Sequence, residues 1–389
     1  MKILQVVASY LPAVRYGGTI VSVHGLCRAL ARRGHDVEVF TTSVDGPNDS
    51  PVPHDAAVDI DGVKVSYFRS PYARRIYWSP NLGAALRGRM GEFQVVHTHA
   101  IYLWPLWAAA RAARNASVPY VVSPRGMLER DLIEQKSLLW KAALIGFFER
   151  RTLEHAAAIH VTSRREADEA EAFGFDLPPL CEIPNGVDAE APEGPVSAAI
   201  GAIVAGGPYA LYLGRINWKK GLDRLLRALA LAPQVRVVIA GNDEDGYRKT
   251  LEPIAAAHGV AGRVLFAGPV KGADKIALMQ HADFLILPSY SENFGNVVLE
   301  AMLAARPVLV TPEVGLSSLV RDAAVGIVAD GDPESLGGAM ARLASDRSLR
   351  ATLGAKGREL AATRFTWDAV AARMEMLYAR VASGRHPAC

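Results

Sequence analysis

The densest run of reactive side chains is Ser291-Glu292-Asn293-Phe294-Gly295-Asn296-Val297-Val298-Leu299-Glu300. The apolar stretch FLILP before it reads as a strand that passes through a turn into a helix. Glu292 then lies before the helix and Glu300 about two turns into it. A carboxylate accepts two hydrogen bonds at once and so suits a diol, while Gly295 and the first N–H groups of the helix suit a phosphate. Two carboxylates flanking a helix start can also simply balance its dipole. A second cluster, Leu213-Gly214-Arg215 followed by Trp218-Lys219-Lys220-Gly221, places cations on a loop where they could clamp a diphosphate and stabilise its charge as it leaves.

His97-Thr98-His99 closes another apolar run, and in a strand positions 97 and 99 share one face. Local spacing offers no third metal ligand beside the pair. Tyr16-Gly17-Gly18-Thr19 precedes a helix, where two glycines let the backbone approach a diphosphate at the helix N-terminus. The dinucleotide fingerprint GxGxxG is absent. Asp59-Ile60-Asp61 and Asp243-Glu244-Asp245 look like DxD metal motifs, but one precedes a strand and the other sits in a polar turn. Both are expected to be solvated loops, and no metal is expected.

Something must hold these groups together, and the chain supplies strands and helices in alternation. Apolar runs at Ile3–Ser9, Val37–Thr42, Val63–Phe68, Val95–His99, Tyr120–Ser123 and Ala158–Thr162 form one series. The amphipathic helix Thr19–Arg33 falls within it. A stretch rich in Pro, Gly and Ala follows. The pattern then restarts at Ala210–Gly214, Val235–Ala240, Val264–Ala267, Phe284–Leu287, Pro307–Thr311 and Gly326–Ala329. This alternation predicts an α/β protein with two Rossmann-like, doubly wound parallel sheets. The predicted boundaries are a domain over 1–185, a linker over 186–208, a domain over 209–365 and a C-terminal helix over 366–389 that packs back on the first domain. In such sheets ligands bind beyond the carboxyl ends of the strands, where all four clusters fall.

The 389 residues suit two cores, and a net charge of +3 gives no case for nucleic acid. Gly62–Arg151 nonetheless carries 14 Lys and Arg against 5 Asp and Glu. That excess suits either a solvated face or contact with anionic lipid or a phosphorylated acceptor. Within it Ser137–Leu153 mixes Leu, Trp and Phe with Lys141, Arg150 and Arg151, and is expected to rest on the inner membrane face. Cys27, Cys181 and Cys389 are isolated in sequence and are expected to be unpaired thiols of a reducing, cytoplasmic protein. No uninterrupted apolar run approaches the roughly 18 residues needed to cross a bilayer.

With these motifs in this order, the chain resembles glycosyltransferase family 4, retaining enzymes of the GT-B fold, and in particular bacterial members that build exopolysaccharide, capsule or O-antigen. The resemblance rests on Gly17-Gly18-Thr19, HTHAIYLWP, SPRGMLER, AAIHVTS, IPNGVD, GRINWKKGLD and SENFGNVVLEAM, which holds the family's Glu-x7-Glu signature. It implies two domains with the active site in the cleft between them, and transfer of a sugar from a nucleotide-diphosphate sugar to a glycan or polyprenyl-linked acceptor. Neither cofactor nor nucleic acid is implied. Gly17 and Gly18 would approach the donor diphosphate, and Arg215 and Lys220 would neutralise it. Glu292 and the backbone around Asn293, Phe294 and Gly295 would hold the donor sugar. Asn296 and Val297 would offer N–H groups to phosphate, and Glu300 would take the ribose hydroxyls. His99 would lie near the transferred sugar, and Arg125 on the acceptor side. Many relatives read SEGFGL where this chain has Asn293 and Asn296, so the donor sugar is not inherited from them. A nucleotide-sugar epimerase or hydrolase, or a non-catalytic partner subunit of another transferase, would use the same scaffold. Release of free sugar without an acceptor would mark the hydrolase.

Overall fold

Strand β1 (Lys2–Ser9) is buried along nearly its whole length, as expected of a central strand covered on both faces. In the computed structural model, which describes residues 1–13, 18–54, 56–128, 148–189, 194–244 and 246–385, the chain forms two compact units. One comprises Met1–Gly186 and Trp367–Cys389, the other Val187–Thr366.

The sheet of the first unit runs β10-β9-β8-β7-β1-β2-β6-β5, from β2 (Asp36–Thr42), β5 (Val58–Ile60), β6 (Val63–Phe68), β7 (Val95–His99), β8 (Tyr120–Ser123), β9 (Ala158–Val161) and β10 (Leu180–Glu182), while β3 (Val44–Asp45) and β4 (Asn48–Asp49) form a separate antiparallel pair. All pairings are parallel except β5 with β6. Two cores line its faces, one built around Val7, Leu26 and Val39 and the other around Leu4, Phe40 and Val96. The second unit holds a parallel sheet ordered β13-β12-β11-β14-β15-β16, from β11 (Ala210–Leu213), β12 (Val237–Ala240), β13 (Val264–Gly268), β14 (Phe284–Leu287), β15 (Val308–Val310) and β16 (Gly326–Val328). Its strands, too, are runs of buried Leu, Ile and Val. The strand order of each sheet reverses direction at its first strand, β1 or β11, which is where doubly wound sheets open a ligand crevice.

Several expectations need correction. The stretch read as a linker contains a helix, Ala198–Ala205, capped by Ser197 and buried through Ile200; its small residues hide the amphipathic signal. Strand β10 was not foreseen. Cys27 is a free thiol whose burial raises its pKa to about 12, and Cys389 lies outside the described residues. Asp61 is not merely solvated: its carboxylate accepts from His24 Nε2 at 2.9 Å, while Tyr10 Oη lies 2.9 Å from His24 Nδ1. Of the expected membrane segment Ser137–Leu153, residues 137–147 lie outside the described residues, as do Gly17 and Asp245. No described helix is long and apolar enough to cross a membrane.

The C-terminal helix Trp367–Ala382 packs on helix Gly18–Arg32. Trp367 is the anchor. A Cβ on Gly25 would sit 2.2 Å from its ring, and one on Gly186 would sit 2.6 Å from it. With glycines needed at two places around one indole, the ring has little freedom to shift. Gly25→Ala is therefore expected to destabilise the first unit by about 1–3 kcal/mol. A urea titration followed by Trp fluorescence checks this, and an unchanged midpoint would contradict the packing.

Candidate functional site

In the second unit the cationic loop follows β11 directly. Gly221 ends it at φ +63°, and a Cβ there would meet the Pro288 carbonyl oxygen at 1.9 Å. Only glycine fits that close approach, which lays the loop against the end of β14. Tyr290 N–H donates to the Lys219 carbonyl at 2.8 Å, and Lys220 Nζ pairs with Glu292. Both side chains are largely shielded from solvent. Glu292 is held through its backbone as well: its N–H donates to Glu313 O at 3.2 Å, and its carbonyl accepts from Gly315 at 2.8 Å.

Gly295, at φ +89°, turns the chain into helix Asn296–Leu303, which starts without a side-chain cap. Its first N–H groups, at Asn296 and Val297, therefore lie at a terminus suited to an anion. Phe294 is buried in the core, so this stretch could serve a ligand through its backbone rather than through that ring. Glu300 carries an ion pair to Lys275 at 2.7 Å.

Arg215 stands apart from the Lys220–Glu292 pair. Its Nη1 lies 2.6 Å from Glu244 Oε1, while Asn217 Nδ2 donates to Glu244 Oε2 at 2.8 Å. Glu244 is thus half-buried and engaged, which corrects the reading of Asp243-Glu244-Asp245 as a solvated turn. Burial works to raise its pKa, but the Asn217 and Arg215 hydrogen bonds outweigh this and hold the carboxylate low. Asp243 caps the next turn, accepting from Arg248 N–H at 3.1 Å. Among the described residues no group of three His, Cys, Asp or Glu could hold a metal ion.

In the first unit Gly18 opens the helix that follows β1. The carboxyl ends of β7 and β8 bring His99 and Arg125 together, with Arg125 Nη2 3.0 Å from His99 Nδ1. Arg125 Nη1 donates to Asn185 Oδ1 at 2.8 Å. Ala100, Tyr102 and Arg125 all take positive φ, at 82°, 64° and 56°. Strain of this kind costs on the order of 1–3 kcal/mol per residue and collects at functional loops. Two buried carboxylates hold the loops in place. Glu166 accepts from Gly126 N–H and from Thr162 N–H and Oγ1, each at 2.7 Å. Glu149 accepts from Tyr102 N–H and Trp107 Nε1–H, and burial pushes its pKa up to about 7.

His97 and His99 are fully buried with ring centroids 4.1 Å apart. Desolvation, reinforced for His97 by the neighbouring His99 and for His99 by Arg125, holds both well below the ordinary imidazole value. Both are neutral at pH 7. Asn185, Gln5, His160 and Tyr378 join this cluster without having been foreseen. Asn185 and His160 stand in IPNGVD and AAIHVTS, motifs from which no side-chain role was drawn, and Tyr378 is remote in sequence.

Two domain descriptions match the chain, "Glycosyl transferase 4-like domain" over residues 17–186 and "Glycosyl transferases group 1" over 197–360. A D-inositol 3-phosphate glycosyltransferase of Xylanimonas cellulosilytica is 31% identical, over 96% of this chain and 93% of its own. The fold is similar to sucrose-phosphate synthase from Thermosynechococcus elongatus (TM-score 0.74, 22% identity, covering 98% of this chain and 99% of that one). It is equally similar to Anabaena HepE, solved with UDP and glucose (TM-score 0.74, 22% identity, 97% and 99% covered). The protein is a glycosyltransferase with the GT-B fold. It belongs to glycosyltransferase family 4.

Proposed function

We propose that the protein transfers a sugar, with retention of anomeric configuration and without a divalent metal, from a nucleotide-diphosphate sugar to a hydroxyl of a glycan or lipid-linked glycan in surface polysaccharide synthesis. The observation that carries this reading is the pairing of Lys220 with Glu292 across the carboxyl ends of β11 and β14, beside the uncapped start of helix Asn296–Leu303. One group suits a diphosphate, the next a sugar hydroxyl, and the third again a phosphate. HepE, solved with UDP and glucose, supports UDP as the first nucleotide to test.

The transfer is proposed to proceed on one face, without the covalent glycosyl intermediate of a retaining glycosidase. The acceptor oxygen bonds to the anomeric carbon on the face from which the diphosphate departs. The bond from that carbon to the diphosphate breaks, and a diphosphate oxygen takes the acceptor's proton. Arg215, Lys220 and the helix start stabilise the charge that develops on the leaving group. Arg215 and Lys220 are ion-paired with Glu244 and Glu292, so a donor diphosphate would exchange one anionic partner for another at these cations.

The test is thermal unfolding with UDP, GDP and ADP in EDTA, followed by transfer assays with the matching sugars. A nucleotide at a hundred times its dissociation constant should add about 2.7 kcal/mol. Stabilisation by none of them, or transfer that appears only when Mg²⁺ or Mn²⁺ is restored, would overturn the metal-free donor site. A second acceptor reading has one specific support: the 31% relative is named for inositol 3-phosphate. Offering a phosphorylated cyclitol beside a lipid-linked glycan decides between the two.

A further inference from the structure

A single line of hydrogen bonds crosses the interior of the first unit, and its two ends settle where every proton lies. It begins at Arg125, whose guanidinium can only donate, and finishes at the Ile183 carbonyl, which can only accept. Arg125 Nη2 faces His99 Nδ1 at 3.0 Å, so that nitrogen is bare. In a neutral ring the proton is then on Nε2, which donates to Gln5 Oε1 at 2.7 Å. This orients the amide, and Gln5 Nε2 donates to Tyr378 Oη at 3.1 Å. The tyrosine hydroxyl in turn donates to His97 Nδ1 at 2.7 Å. His97 Nε2 faces His160 Nδ1 at 3.4 Å, and His160 Nε2 donates to Ile183 O at 2.8 Å. Gln5, His97, His99 and Tyr378 are fully buried, so water does not offer a competing partner.

We propose that Tyr378, carried in by the C-terminal helix, is a positioning residue that acts through Gln5, together with Arg125 at the other face of the ring, to keep His99 Nδ1 proton-free. Nδ1 faces Arg125, on the loop beyond the carboxyl end of β8, whereas Nε2 faces inward to Gln5. His99 therefore presents a hydrogen-bond acceptor at the ligand-binding edge of the sheet, and a sugar hydroxyl can donate to it in place of Arg125. The proposal rests on the reading of His99 as a contact for the transferred sugar. It adds that a residue 279 positions later in the chain shares with Arg125 in selecting the tautomer.

Tyr378→Phe keeps the packed ring and removes only the hydroxyl. Gln5 Nε2 then has no acceptor, and the amide is free to turn its N–H toward His99 Nε2. The imidazole can answer only by moving its proton to Nδ1, where it opposes the Arg125 N–H. The experiment is ¹⁵N NMR of the full-length protein with labelled histidine, with His99→Asn used to assign the His99 signals. Wild type should show His99 protonated at Nε2 alone. Tyr378→Phe should show a mixture of tautomers, with kcat lowered about tenfold, the scale of one neutral hydrogen bond, and donor KM little changed. Gln5→Leu should release the tautomer in the same way while every residue of the C-terminal helix is kept. A wild-type His99 protonated at Nδ1, or an unaltered pattern in Tyr378→Phe, would overturn the proposal. A shifted tautomer with unchanged turnover would uphold the wiring and remove His99 from the donor site.

Discussion

Lys220→Ala and Arg215→Ala should each lower kcat by about a hundredfold or more while the fold persists. Removing one preorganised group from a developing anion costs roughly 10²–10³ in rate, and both of these cations lie on the loop after β11. Neither belongs to the hydrophobic core, so the loss should appear in turnover rather than in the unfolding midpoint. The two are not equivalent. Lys220 sits with Glu292 in a pair that is mostly shielded, and its removal leaves that carboxylate without its ion-pair partner where a sugar is to bind. Arg215 is more exposed, and its loss leaves Glu244 still held by Asn217. The Lys220→Ala/Glu292→Ala double variant should thus lose less than the product of the two single losses, because residues in one pair do not act independently. Steady-state kinetics in EDTA across the three variants and wild type measures this. Near-normal turnover in either single cation variant removes that residue from the leaving-group clamp.

What could be read from the sequence depended on whether a signal was local. Val63–Phe68, Val95–His99, Tyr120–Ser123 and Phe284–Leu287 match the observed strands end to end, because short apolar runs bounded by turn residues have few other places to go. Leu180–Glu182 escaped notice as a three-residue edge strand that follows two prolines. Helix Ala198–Ala205 escaped because small residues carry helix propensity without the contrast that marks a buried face. At the site, the glycine turns and the charged loops were legible as residue types at strand ends. Their partners were not. Nothing in the order of residues links Glu244 to Arg215, Lys275 to Glu300, or Tyr378 to His97, because each meeting is made by the sheet topology. The chain thus announces which groups are available for chemistry, and the fold decides what each one faces before substrate arrives.

Glu300 provides the clearest case of that division. On helix Asn296–Leu303 its carboxylate is about a third exposed and accepts from Lys275 Nζ at 2.7 Å through Oε2. A carboxylate oxygen has capacity for a second donor, and Oε1 offers more, so ribose hydroxyls can bind without breaking the ion pair. Such a contact lies away from the breaking bond and strengthens the ground state and transition state alike. Its loss should therefore raise KM for the donor and leave kcat nearly unchanged. Hydrogen bonds to a charged group contribute on the order of 1.5–3 kcal/mol, so Glu300→Ala should raise donor KM by about 10- to 100-fold. The same variant should lose most of the stabilisation that the nucleoside diphosphate gives in thermal unfolding, since that ligand carries the ribose but no transferred sugar. Lys275→Ala separates ribose binding from simple charge balance, because it leaves the carboxylate in place and should weaken the donor much less than Glu300→Ala does. Should Glu300→Ala instead depress kcat at an unchanged KM, the carboxylate acts on the reacting sugar and not on the ribose, and its assignment would move to the neighbourhood of Glu292.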